Sequence, residues 1–160
     1  MDPLDPAGID LATLAWLAGG AANAAILAEL REAGHAGVRT SHGYVVQHLL
    51  TGSPTVSELA DLLGVTQQAA SKHVLELERL GYVERVPDPA DSRVRRARLT
   101  ERGHEMVDDA RRIRRRLDAR LKALVGEDAA DATRRALTVL LDLTGGTASV
   151  VARRVVPPQD

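Results

Sequence analysis

The side chains best suited to meeting a ligand fall in two short stretches. One is Thr66-Gln67-Gln68-Ala69-Ala70-Ser71-Lys72-His73; the other is Ser92-Arg93-Val94-Arg95-Arg96-Ala97-Arg98. At helical spacing Gln67 and Ser71 share a face, as do Gln68 and Lys72, while Ala70, Val74 and Leu77 turn the opposite way to pack. A glutamine amide pairs bidentately with adenine, and Lys72 or Ser71 suits a phosphate or a base edge. Thr66 opens this turn, and His73 follows Lys72 within reach of a nucleic-acid backbone. The second stretch holds four arginines and no acid. A flexible arginine at the tip of a hairpin suits a narrow minor groove, where negative potential is concentrated. Arg93 is the candidate for that role and Arg95 for a phosphate, with Arg96 or Arg98 solvating an edge strand. Solvated faces also look like this, so the reading depends on the elements that carry these residues.

Those elements are legible from caps and periodicity. A first helix spans about Asp10 to Ala33 and stops at Gly34; its small residues Ala15, Gly19, Gly20 and Ala24 permit close approach of another helix, from this chain or a second one. The Gly19-Gly20 pair is expected to cost helix stability or to kink it. Thr40 or Ser41 caps a short helix that ends before Gly52-Ser53-Pro54. Thr55-Val56-Ser57-Glu58 is a capping box, and the helix it starts runs to Gly64. Thr66 caps the next helix, Gln67 to Leu80, closed by Gly81. Two short helices joined by a glycine-containing turn form a helix-turn-helix pattern. Tyr82 to Val86 and Arg95 to Leu99 then alternate as strands around the turn residues Pro87 to Ser92. Thr100 caps a long amphipathic helix with its stripe at Met106, Ala110, Ile113, Leu117, Leu121 and Leu124. A last helix, about Asp128 to Arg153, carries Leu137, Leu140, Leu141 and Thr144 on one face. The fold class is mainly α with a small β-hairpin wing: a winged helix-turn-helix, residues 39–99, between long terminal helices, residues 1–38 and 100–160, that serve dimerisation.

The 160 residues make about one domain. With no Phe, one Trp and two Tyr, the core must be built from Ala, Leu and Val, which suits packed helices. The net charge of −1 disfavours nucleic acid only as a sum. Residues 82–122 carry 13 basic and 8 acidic side chains, net +5, and the remainder is net −6, a segregated field that fits a polyanion partner. Of the 21 basic residues 19 are Arg, which serves phosphate recognition and also follows from a GC-rich coding sequence. The absence of Cys excludes disulfides, thiolate metal sites and thiol switches. Leu11 to Ala28 is uncharged over 18 residues, long enough to raise a membrane span. Its Ala and Gly content, Thr13, Asn23 and acidic flank read instead as a buried helix of a cytoplasmic protein without membrane contact.

The stretches VSELADLLGVTQQAASKHVLELERLGYVERV and DPADSRVRRARLTERG resemble the multiple antibiotic resistance regulator (MarR) family of bacterial transcription factors. The second fits that family's wing pattern in Asp91, Arg93, Leu99, Thr100 and Gly103, and the flanking lengths fit over the whole chain. The resemblance implies a homodimer whose first and last helices intertwine, with two winged regions on successive turns of a pseudo-palindromic operator in double-stranded DNA. It implies repression or activation, modulated by a small effector, commonly aromatic, bound between the dimer helices and the DNA-binding region. Trp16, His42 and Tyr44 are the candidate effector residues on the first two helices, although aromatic residues are scarce for such a pocket.

Catalysis finds no support: there is no phosphate-binding glycine loop, nucleophile elbow or inward carboxylate pair. No cofactor is implied. The histidines are scattered, and none forms an i, i+4 pair beside a carboxylate, so no metal ligand is assigned. In the run Arg111 to Arg116, pairing of Asp108 with Arg112 and of Arg114 with Asp118 accounts for much of the charge. Two further readings remain: a winged helix serving as a protein-interaction or adaptor module without sequence-specific DNA binding, and a winged-helix sensor with a metal effector.

Overall fold

The computed structural model describes residues 8–148. Helix α1, Leu11–Glu32, starts where Asp10 accepts hydrogen bonds from the Thr13 N–H (2.9 Å) and hydroxyl (2.7 Å). It passes through Gly19-Gly20 unbroken, and a Cβ at either glycine would meet no neighbour within 4 Å among the described residues. The small-residue stretch is therefore not used for packing within one chain. Helix α2, Thr40–Leu49, has its N-cap at Arg39, one residue before Thr40 and two before Ser41, the two predicted caps. The Thr40 hydroxyl is engaged elsewhere, accepting from Asn23 Nδ2 of α1 at 2.7 Å, and His42 Nδ1 accepts the Arg39 N–H instead.

The predicted local signals hold for the helix-turn-helix. Thr55 and Glu58 exchange hydrogen bonds of 3.2 and 2.7 Å at the start of α3, Val56–Leu63, which ends at Gly64 in the left-handed region. Thr66 caps α4, Gln67–Arg79, by accepting from the Ala69 N–H. Strands β1, Val83–Pro87, and β2, Arg95–Leu99, pair antiparallel from Val83↔Leu99 to Pro87↔Arg95. The far edge of β2 is covered at Ala97, whose N–H donates to the Pro54 carbonyl at 2.9 Å. The Thr100 hydroxyl caps α5, Glu101–Val125, and donates to the Gly81 carbonyl. Helix α6, Glu127–Leu143, follows a break at Gly126 (φ 84°).

This last helix corrects the sequence reading of one run from Asp128 to Arg153. Gly145, at φ 70°, turns the chain after Leu143, and helical backbone resumes at Gly146 and reaches the last described residue, Ala148. Residues 149–160, which complete the predicted helix and tail, lie outside the described residues.

The core is aliphatic around one aromatic side chain. Leu59, Leu63, Val74, Leu77 and Val45 are fully buried with Tyr82, each large apolar side chain contributing about 1.5–3 kcal/mol relative to exposure. The amphipathic stripe of α5 divides in two: Met106, Ala110 and Ile113 join this core, while Leu117, Leu121 and Leu124 are left uncovered. On α1, predicted to be buried, only Ile26 and Leu30 are; Leu11 and Trp16 are 77% and 76% exposed. By length and composition α1 could cross a membrane. Its C-terminal half is instead committed to this fold, through Asn23 to Thr40, Glu29 to Arg116 and the two buried side chains. On α6, Leu137, Val139, Leu141 and Leu143 are also exposed.

Gly103 explains the glycine that ends the wing pattern. A Cβ there would stand 2.2 Å from the Tyr82 carbonyl oxygen, a backbone atom that cannot step aside. Gly103→Ala is expected to destabilise the fold by about 1–3 kcal/mol, the usual cost of overpacking, in urea unfolding followed by circular dichroism. An unchanged midpoint would refute this packing.

Candidate nucleic-acid interface

Burial of one face of α4 determines what the other presents. Ala70, Val74 and Leu77 are fully buried against α2 and α3, so Thr66, Gln67, Gln68 and Lys72 stand exposed, with Ser71 half-buried beside them. The exposed set offers amides, a hydroxyl and one ammonium at the start of a helix, where the free backbone N–H groups also favour an anion. His73 departs from the reading as a backbone contact. It is half-buried, turns toward α2, and packs edge-on against His42 with ring centroids 6.1 Å apart.

The hairpin tip is built by two aspartates. Asp88 accepts from the Ala90 and Asp91 N–H groups, closing the turn, and Asp91 accepts from the Arg93 N–H at 3.0 Å. The same Asp91 carboxylate holds the Arg93 guanidinium through two contacts, at 3.1 and 3.2 Å, while that side chain remains 89% exposed. The Asp-X-Arg spacing therefore orients one arginine outward from the tip. These hydrogen bonds hold the Asp91 carboxyl below the usual carboxylate range, and Arg96 does the same for Asp88. Arg95 is exposed and has no ion-pair partner among the described residues.

Arg96 and Arg98, read alike in the sequence, differ. Arg98 makes a cross-strand pair with Glu84 at 2.9 Å. Arg96 pairs with Asp88 and also donates to the Ser53 carbonyl (3.0 Å) and Glu58 (3.2 Å). It thus fastens the hairpin to the start of α3, a structural duty that the sequence pattern did not reveal. The arginine run on α5 also pairs differently from expectation. Arg111 meets Asp108 and Arg112 meets Asp109 at i, i+3, Arg116 reaches Glu29 on α1, and Asp118 faces Lys122 and Arg134.

A small, partly open cleft of about 80 Å³ lies between α1, α2 and α5. Ile26, Val46 and Met106 give it apolar walls, and Arg39, Arg111 and Arg114 also line it. Of the three predicted effector residues only His42 lines this cleft, buried to 1% exposure. Trp16 lies exposed on α1, and Tyr44 packs against the core. The arrangement suits a small molecule with an apolar body and an acidic group.

Two polar clusters connect the elements. His35 contacts the Tyr82 hydroxyl through Nδ1 and Asp109 through Nε2, each at 3.2 Å, joining the α1–α2 loop to the wing base and α5. His42 Nε2 contacts Glu76 at 3.0 Å, and Arg39 contacts the same carboxylate at 3.3 Å. The His42 hydrogen bond and Arg39 hold the Glu76 carboxyl below its usual range; burial first, then His42, lowers the His73 pKa. His42, His73 and Glu76 place three metal-ligating atoms within 4.8 Å of one another, a grouping that the search for i, i+4 histidine pairs missed. The available signal was His73 and Glu76 at i, i+3; His42 lies 31 positions before His73 and carried none.

Residues 36–94 match the model of the MarR family. Solved structures share the fold along most of the chain. RV1404 from Mycobacterium tuberculosis is 26% identical at a TM-score of 0.69, covering 84% of this chain and 93% of its own. The reduced form of MarR from E. coli is 21% identical, with TM-score 0.65 and coverages of 83% and 97%. A MepR mutant from S. aureus, solved bound to an oligodeoxyribonucleotide, is 19% identical, with TM-score 0.61 and coverages of 85% and 99%. No curated protein sequence matches the chain.

The unlike partners of Arg96 and Arg98 lead to unlike outcomes. Arg96→Ala is expected to loosen the hairpin and speed hydrogen exchange at the Ala97 N–H, whereas Arg98→Ala, which removes one exposed pair, leaves exchange unchanged. Equal protection in both variants would contradict the anchoring role.

Proposed function

Given that residues 36–94 match the MarR family model and that the chain folds as MarR and MepR do, we propose that this protein is a cytoplasmic, homodimeric repressor of transcription that binds a pseudo-palindromic operator. The observation that carries the reading is the division of α4 into a fully buried face and an exposed face of Thr66, Gln67, Gln68 and Lys72, with Arg93 held outward by Asp91 at the wing. In this reading α4 enters the major groove, Gln67 and Gln68 meet base edges, and Ser71 and Lys72 meet phosphate or base. Arg93 enters the minor groove and Arg95 a phosphate contact. His73 is no longer assigned to DNA.

A second copy of the chain accounts for the uncovered apolar surface. Leu11, Trp16 and Leu17 on α1, Leu117, Leu121 and Leu124 on α5 and the leucines of α6 are more than a monomer usually exposes. Gly19 and Gly20, open in this chain, then allow a close helix crossing with the partner. The cleft beside His42 would receive a small organic acid, paired with Arg39, Arg111 or Arg114, that releases the operator.

The deciding experiment is selection of bound sequences from random duplex, followed by fluorescence anisotropy of the selected site over a salt series. Half-sites are expected roughly 10 bp apart. Gln67→Ala or Gln68→Ala should cost about 1–3 kcal/mol and relax the preference at one base position. Arg93→Ala should weaken binding and lower the salt slope by about 1. Equal affinity for all duplexes would replace this reading with that of a protein-interaction module. For the dimer, Leu121→Asp is expected to shift sedimentation equilibrium toward monomer; a wild-type profile would remove Leu121 from the interface.

A further inference from the structure

We propose that His42, His73 and Glu76 form a binding site for a divalent transition metal of the zinc type, which clamps α4 to α2. Two imidazole nitrogens and a carboxylate oxygen are the ligand types zinc favours, and three protein ligands leave a fourth position for water. The atoms already lie within 4.8 Å of one another, and the tightest contact, His42 Nε2 to Glu76, is 3.0 Å. Tetrahedral coordination at about 2.0–2.1 Å needs ligand atoms about 3.4 Å apart, so a small rotation of the His73 ring completes the set.

Two features support the site. The His73 Nδ1 is buried with no hydrogen-bond partner among the described residues, in a place where such groups normally find one. His73 and Glu76 lie at i, i+3 on α4, one helical turn apart, and both project toward His42 on α2.

The cations facing the site also bear on it. Arg39 shares the Glu76 carboxylate, but its side chain is 66% exposed and can swing into solvent as the metal takes its place. Lys72 is exposed on the adjacent position of α4. Coordination through His42 Nε2 displaces the proton shared with Glu76 and leaves the ring proton on Nδ1. This gives up the 3.3 Å hydrogen bond from the Arg39 N–H, which water at the start of α2 can replace.

The consequence is mechanical. Glu76 and His73 belong to the helix whose first turn carries the exposed Gln67 and Gln68, and His42 also lines the cleft. A bound ion joins α4, through His73 and Glu76, to α2, through His42, in place of one hydrogen bond and one exposed ion pair.

The test uses the full-length, tag-free chain, stripped of metal by a chelator and titrated with Co2+, then with Zn2+ as competitor, without DNA. Failure of the operator reading therefore leaves this result readable. The expected result is one tightly bound ion per chain, a cobalt absorption band lost on zinc addition, and a raised Tm. His73→Ala and Glu76→Gln, each checked for helicity, should lower affinity at least about 100-fold, since loss of even an outer-shell partner costs about 10–100-fold. His104→Ala, at an exposed position on α5, should bind as the wild type does. Absence of saturable one-to-one binding, retained affinity in either His73→Ala or Glu76→Gln, or loss in His104→Ala would overturn the proposal.

Discussion

The joint at Tyr82 is the constraint on which the remaining architecture depends. It is the largest fully buried side chain in a protein that has no Phe. Its backbone carbonyl accepts from the Thr100 N–H at 3.1 Å and lies against Gly103, so β1, β2 and the start of α5 converge on one peptide group. Its hydroxyl contacts His35, which also reaches Asp109, and Arg102 lies over its ring, 5.1 Å from the centroid, while donating to the Gly34 carbonyl. A core made otherwise of Ala, Leu, Val, Ile and Met has weak directional preferences. The one aromatic ring with a polar end therefore fixes how the α1–α2 loop, hairpin and α5 sit together.

This division between local and tertiary control explains what could be read from the sequence. Thr55, Thr66 and Thr100 announced their helices because each cap is decided within four residues. The alternation of Ala70, Val74 and Leu77 gave the buried face of α4 for the same reason. The cap of α2 was misplaced by one or two residues because the Thr40 hydroxyl bonds to Asn23, 17 positions away. The final helix was read as one run because its apolar spacing carries no sign of the interruption at Gly145, where the positive φ breaks it. At the candidate site, the outward arginine could be read from Asp91-X-Arg93. The anchoring of Arg96 could not, since its partners Ser53 and Glu58 come from another element. Trp16 and Tyr44 attracted attention as the rare aromatics; one is exposed and the other packs in the core, so rarity alone was a poor guide to the cleft.

The charge pattern has a comparable explanation. A run of five arginines between Arg111 and Arg116 looks like an anion surface, yet Arg111, Arg112 and Arg116 are paired with Asp108, Asp109 and Glu29. Arg93 also has a carboxylate partner, but Asp91 is on the same exposed turn and holds it from behind, leaving the guanidinium facing water. The number of arginines thus matters less than the position of the acid that pairs with each. Where the acid belongs to another element, as for Arg96 and Arg116, the arginine ties parts of the fold together. Where it belongs to the same tip, the arginine is oriented and remains available.

His42 brings the interior and the outer face of α4 into one mechanical unit. Its ring lines the cleft between α1, α2 and α5, and its Nε2 contacts Glu76, less than three turns of helix from Gln67 and Gln68. Arg39 does the same from the N-terminus of α2, lining the cleft while pairing with Glu76. Under the proposed function, an acidic ligand in the cleft competes with Glu76 for Arg39, and a metal ion at His42, His73 and Glu76 reinforces the connection that such a ligand weakens. Either ligand can shift the helix only by its difference in affinity for the two arrangements. Because both take Arg39 from Glu76, the two ligands meet at a single carboxylate, and the exposed face of α4 is coupled to the cleft without any long path through the core.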